Sequence, residues 1–150
     1  MDHSHIVTRF DKDLSEIESL LVEMADLVAK QISDSALALQ LGDNQLAKAV
    51  TKNDSKINRL EEKIDDKAIR LIALRQPMAE DLRSAITTLK VSNCLERMGD
   101  YAKTLSYRAR KVDDFSAMKS ILRSITETSE KIINMLNVVM EAYVNRDLNK

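Results

Sequence analysis

The stretch RQPMAED, Arg75 to Asp81, holds the only proline in a chain of 150 residues. Pro77 has no amide proton to give a helix, and it pushes the residue before it out of the helical region. A helix arriving from the N-terminal side must stop here. On both sides of this turn apolar residues recur at helical spacing. Upstream, Leu46, Val50, Ile57, Leu60, Ile64, Ala68 and Leu71 predict a helix from about Asn44 to Leu74. Downstream, a second helix runs from about Ala79 to Arg110. So short a connection makes the two antiparallel neighbours.

The remaining breaks are as sparse. LGDN, Leu41 to Asn44, sets a good helix-ending glycine, Gly42, beside a good helix-starting carboxylate, Asp43. Before it, Phe10, Leu14, Ile17, Leu21, Met24, Val28, Ile32 and Leu39 predict a helix from about Ile6 to Leu39. KVDDFSA, Lys111 to Ala117, is the next break, and a fourth helix follows from about Ser116 to Val144. With 2 glycines, 1 proline and 3% aromatic residues, little interrupts helix. The expected fold is all-α: an antiparallel up-down-up bundle of three long helices, roughly 45 Å long, plus the fourth helix.

Composition also excludes functions. A hydrophobic share of 44% is too high for a disordered chain. A net charge of −1 provides no basic field for nucleic acid. No run approaches the length of apolar residues that spans a bilayer, so no membrane insertion is expected. The single cysteine, Cys94, rules out an internal disulfide framework and suits a reducing compartment. A soluble, cytoplasmic protein is the expectation, with Cys94 as a buried or half-buried small residue.

The third helix carries the chemistry. In LERMGDYA, Leu95 to Ala102, Glu96 and Asp100 stand one turn apart and point the same way. On an ideal wheel they continue the face of Leu82, Ala85, Ile86 and Leu89. The apolar residues meanwhile move to Val91, Leu95, Met98, Ala102, Leu105 and Ala109. This face change leaves the carboxylates on a partly open flank. Folding the chain at Pro77 brings their partners level. Glu96 and Asn58 lie equally far from Pro77 along the chain, and so do Asp100 and Asp54. Asp54, Glu61 and Asp65 line one edge of the second helix, with Asn58 beside them. Asp54, Asn58, Glu96 and Asp100 form an all-oxygen set suited to Mg²⁺, Mn²⁺, Ca²⁺ or iron. The plainer alternative is a solvated pair neutralised by Arg97, Lys103 or Lys56. Other helical chemistries fail. A di-iron bundle site needs Glu-x-x-His pairs, and the only histidines, His3 and His5, are N-terminal. There is no glycine-rich phosphate loop and no nucleophile–base pair, so no catalytic residues are assigned.

The stretch AIRLIALRQPMAEDLRSAITTLKVSNCLERMGDYA, Ala68 to Ala102, resembles the PhoU family of bacterial phosphate-signalling regulators. The resemblance rests on the Arg-Gln-Pro-Met-Ala turn, then Asp-Leu-Arg, then Leu-Glu-Arg-x-Gly-Asp. It extends more weakly through NDSKINRLEEKI, Asn53 to Ile64. It implies two similar three-helix bundles, each with a (Glu/Asp)-x-x-x-Asp motif able to hold iron or another metal on its surface. It implies a non-enzymatic negative regulator of phosphate-starvation signalling and phosphate homeostasis. Such a regulator links the ATPase of the phosphate ABC transporter to a sensor histidine kinase. By position, Glu96 and Asp100 are the motif and Asp54 the acidic residue opening the second helix's pattern. Asn58 stands where the family often has Asp. Iron, manganese or magnesium is the implied cofactor. Arg75 and Arg83, near the turn, are candidate partner contacts, although Arg83 serves equally well as an ion-pair partner of Glu80 or of a neighbouring helix.

Only one full motif is present. At an offset of 104, Ile17, Leu21, Val28, Ile32, Leu39 and Asp43 align with Ile121, Ile125, Ile132, Leu136, Tyr143 and Asp147. The expected domains are therefore a complete bundle, 1–112, and the first helix of an incomplete second repeat, 113–150. That helix carries the stripe Ile121, Leu122, Ile125, Ile132, Leu136, Val139, Tyr143. With the other seams occupied by each other and Asp113–Asp114 as the link, the stripe is expected to pack on a second copy as a homodimer. Two alternatives remain: a metal-dependent phosphate-ester hydrolase and a purely structural helical adaptor. The face change in the third helix argues against the adaptor.

Overall fold

A computed structural model describes residues 3–112, 114 and 116–147, without the side chains of residues 3–8 and 116. The side chains of His3 and His5, and Asp113, lie outside the described residues. Four α-helices account for nearly all of the described chain: α1 (His3–Leu41), α2 (Asn44–Arg75), α3 (Glu80–Ala109) and α4 (Lys119–Asn145). A short 3₁₀ turn, Ser116–Met118, leads into α4.

The breaks fall where the sequence places them. Gly42 adopts φ 64°, and Asp43 caps α2 by accepting from the amides of Gln45 and Leu46 at 2.8 and 3.0 Å. At the second turn the work is shared. Gln76, in the left-handed region at φ 46°, closes α2 by donating its amide to the Ile72 carbonyl, and Pro77 follows. Ala79 also has positive φ.

α1 is the axis of the molecule. It packs against α2, α3 and α4, and every residue of its predicted seam is buried. Ala25, Gln31, Ser35, Ala36 and Ala38 are buried as well, so more than one stripe of α1 faces protein. This overturns the expectation that α4 finds no room on its own bundle. α4 lies along α1 and buries Leu122, Ser129, Leu136 and Met140. Leu136 and Met140 enter the main core, while Leu122 joins Leu39 and Ala109 in a smaller cluster. The Tyr143 hydroxyl meets Thr88 Oγ1 of α3 at 2.7 Å. The predicted α4 stripe is thereby split. Ile125 and Tyr143 are half-buried, while Ile121, Ile132 and Val139 stay exposed.

α3 has no face change. Its buried residues are Ala85, Thr88, Ser92, Leu95, Gly99, Ala102, Ser106 and Ala109, one unbroken stripe of alternating three- and four-residue steps. Thr88, Ser92, Gly99 and Ser106 do not read as core residues, so the apolar pattern alone suggested a shift. Without this shift, α3 does not speak against a simple helical adaptor. Small residues let α3 approach its neighbours closely. A Cβ on Gly99 would stand 3.0 Å from Ile57 Cδ1 and 3.7 Å from Gln31 Nε2. Gly99→Ala gains helix propensity of about 1 kcal/mol but crowds Ile57. Gly99→Val adds two more carbons against that wall and is expected to lose about 2 kcal/mol or more. Urea denaturation checks this; unchanged stability would mean that the α2–α3 spacing is set elsewhere.

Candidate metal centre

The site lies where α2 and α3 run side by side. Asp54, Asn58, Glu61 and Asp65 succeed one another along one face of α2, and Asn93, Glu96, Asp100 and Lys103 along the facing edge of α3. Asp54 is the deepest of them, with its side chain 4% exposed. Both of its oxygens are engaged: Oδ1 accepts from Gln31 Nε2 at 2.9 Å and Oδ2 from Lys103 Nζ at 2.7 Å. Gln31 Nε2 also donates to the Gly99 carbonyl at 3.0 Å. Lys103 Nζ reaches back to Asp100 Oδ1 at 3.2 Å. Asp54 and Asp100, predicted level from their distances to Pro77, thus share one ammonium. Of the three cations proposed as neutralisers, Lys103 takes this role. Arg97 is raised chiefly by the neighbouring Tyr101 hydroxyl, with Glu96 a lesser cause.

One ammonium does not balance the patch. Burial, then the charges of Asp100 and Glu61, push the Glu96 carboxyl above the usual range, and a hydrogen bond with Asp100 adds to this. Glu61 is raised by burial and by Asp65, against a lowering hydrogen bond from Asn93. Asp65 is raised by burial and Asp66. The hydrogen bond to Asp54 raises Lys103 in turn. Asn58 Oδ1 is buried with no hydrogen-bond partner. An acceptor without a donor, on the same face as a crowd of carboxylates, is suited to a cation. Among the described residues, however, no three His, Cys, Asp or Glu side chains already converge as a metal cage.

The other predicted positions scatter. Arg75 is half-buried and holds Asp13 of α1 through Nε and Nη2, at 3.1 and 2.9 Å. It ties the end of α2 to α1. Arg83 stands exposed, and Cys94 is exposed rather than buried. A groove of about 740 Å³ runs between α1 and α2, along α2 from Arg59 to Arg75, away from the acidic patch. Its cations are partly matched, Lys67 by Glu16 at 2.8 Å and Arg75 by Asp13. Gln31 is the participant that sequence reading missed. The signal existed: Gln31 and Asp54 lie equally far from the Gly42–Asp43 turn.

The family model described as the PhoU domain matches residues 21–109. A phosphate-specific transport system accessory protein PhoU homolog from Caulobacter vibrioides is 36% identical over 146 residues, covering 97% of this chain and 64% of that protein. The Serratia marcescens phosphate-specific transport system accessory protein PhoU is 34% identical over 149 residues, covering 99% and 60%. The crystal structure of PhoU from Pseudomonas aeruginosa superposes with a TM-score of 0.84 at 32% identity, over 92% of this chain and 66% of that one. The chain thus spans less than two thirds of the length of these curated relatives.

The electrostatics make a signed prediction. A carboxyl raised in the folded state stabilises the fold below its unfolded value, and that contribution is lost as pH rises through the folded value. At pH 7 without metal, Glu96 therefore carries a penalty. Glu96→Gln should stabilise chelator-treated protein by a few tenths of a kcal/mol at pH 7, with the gain vanishing below about pH 4. Urea denaturation at both pH values reads it. A loss at pH 7 above about 2 kcal/mol would instead mark Glu96 as structural.

Proposed function

The chain belongs to the PhoU family, and we propose on that basis that it is a non-enzymatic regulator of phosphate uptake and homeostasis, restraining phosphate-starvation signalling. It would act in the cytoplasm through protein contacts, passing the state of the phosphate ABC transporter from its ATPase to a sensor histidine kinase. The observation that carries this reading is the alignment of nearly the whole chain with phosphate-specific transport system accessory proteins. No helix among the described residues is long and apolar enough to cross a membrane, which fits a protein that meets a transporter from outside the bilayer. Glu96, Asp100, Asp54 and Asn58 would hold a hard or borderline cation, Fe³⁺, Mn²⁺ or Mg²⁺. The all-oxygen donor set and the unpartnered Asn58 Oδ1 support the fit. Bound there, the ion would tie α2 to α3. The hydrolase alternative has no observation in its favour.

The test is functional. In a bacterial host lacking its own PhoU, the chain should restore repression of phosphate-starvation genes and be retrieved with the transporter ATPase and the kinase. Undiminished starvation signalling, with neither partner retained, overturns the reading.

We also propose that a second copy covers the outer side of α4. Beside the seam docked on α1, a second seam runs at coiled-coil spacing: Ile121, Ile125, Thr128, Ile132, Met135, Val139, all exposed except Ile125, which also packs on the cluster of Leu39, Ala109 and Leu122. It is symmetric about residue 130. In an antiparallel pair Ile121 meets Val139, Ile125 meets Met135, and Thr128 meets Ile132, as a two-fold interface requires. Light scattering at tens of micromolar should give a dimer. Ile132→Glu with Met135→Glu, both at exposed positions, should give a folded monomer. A wild-type monomer at that concentration refutes the pairing.

A further inference from the structure

Lys103 has a position that the metal reading does not explain. It sits on α3, one turn beyond Asp100, and reaches across to α2. Its Nζ lies 2.7 Å from Asp54 Oδ2 and 3.2 Å from Asp100 Oδ1. It bridges two carboxylates from two helices, as a bridging metal ion would. The two partners differ in freedom. Asp54 is enclosed, and Gln31 Nε2 fixes its other oxygen at 2.9 Å, so its carboxylate cannot swing away. The Lys103 side chain is 38% exposed and sits on a flexible four-carbon stem, so its head can move into water at modest cost. A metal ion reaching Asp54 needs Oδ2, which the ammonium now holds, because Gln31 engages Oδ1; at Asp100 the ammonium holds Oδ1. Two cations cannot share them at contact distance, because like charges so close in a partly buried site repel strongly.

We propose that Lys103 is a resident counter-ion that competes with metal for Asp54 and Asp100. Without metal it holds the acidic edges of α2 and α3 together. With metal it swings out, and its displacement sets the metal concentration at which the site fills. This inference rests on the metal reading given above.

The probe is Mn²⁺, followed by calorimetry at pH 7 on wild type, Lys103→Met, Lys103→Arg and Asp100→Ala. Lys103→Met keeps the apolar stem and removes the charge. It should bind Mn²⁺ at least tenfold tighter than wild type. Lys103→Arg keeps the charge and should stay near wild type. Asp100→Ala should lose binding. The metal-free Lys103→Met protein should melt below wild type and recover with Mn²⁺, because only in that protein are the carboxylates without a counter-ion. Displacement is also readable on the unaltered chain, where saturating Mg²⁺ should shift the Lys103 ¹³Cε resonance to that of a solvated lysine. Binding by Lys103→Met alone supports the proposal in its strongest form. Equal or weaker Mn²⁺ binding by Lys103→Met, or an unmoved Lys103 resonance on a Mg²⁺-bound chain, refutes the competition and leaves the metal site standing. If no protein binds either ion, or wild type binds Mn²⁺ and Asp100→Ala binds it as tightly, the metal reading fails and takes this inference with it.

Discussion

The bundle is organised around one buried carboxylate. Asp54 is fully enclosed between three helices, and a charge in that position is tolerated only when each oxygen finds a donor. α1 supplies one through Gln31, and α3 supplies the other through Lys103. Gln31 uses its second amide hydrogen on the Gly99 carbonyl, so a single side chain of α1 sets the height of both its neighbours. Apolar seams alone permit a helix to slide by a turn at little cost. A buried charge with two specific donors does not, because a slip of one turn would strand it. The register that brings Glu96 and Asp100 beside Asp54 is therefore fixed from inside the bundle.

Gly99 and the small residues around it make this arrangement possible. The α3 stripe of Ala85, Thr88, Ser92, Gly99, Ala102 and Ser106 has no large side chain except Leu95. Its hydroxyls are served unevenly: Thr88 Oγ1 donates to the Ser84 carbonyl at 3.0 Å, Ser92 Oγ approaches Met24 Sδ of α1 at 3.6 Å, and Ser106 Oγ is buried with no hydrogen-bond partner. Bulk comes from the opposite side, from Ile57, Ile64, Met24 and Val28, all almost fully buried. Close approach is what lets a lysine on α3 reach an aspartate on α2.

Much of this could be read in the sequence. The helix limits followed from Gly42, Asp43 and Pro77, and the α1 seam from spacing alone. Equal distances from Pro77 placed Asp100 level with Asp54. The α3 stripe was not legible, since serine, threonine and glycine are as common on surfaces as in tight helix contacts, and only the partner helix distinguishes them. The docking of α4 was hidden for a related reason. Ala25, Ala36 and Ala38 stand outside the seam that spacing picks out, yet they lie among the buried residues that widen the face of α1. Lys103 could be named as one neutraliser among three, but the choice depended on side-chain reach across a groove, which spacing does not encode. Glu61 was on the correct edge of α2, and its electrostatic coupling to the Glu96 group emerges only from the depth of the groove.

The attachment of α4 has a dynamic consequence. α1, α2 and α3 each touch the other two, whereas α4 rests on α1 and meets α3 through side chains, at the Tyr143 hydroxyl and in the cluster of Leu39, Ala109 and Leu122. Removing α4 takes Leu136 and Met140 out of the main core but leaves α1, α2 and α3 in mutual contact, while removing any of the others ends that three-way contact. Such a molecule opens in steps, with the least supported segment exchanging its amide hydrogens at lower free energy than the rest. The bundle then behaves as two cooperative units of unequal strength on one shared helix. The helix that carries α4 is also the one whose Gln31 holds the buried carboxylate, so both units share that support.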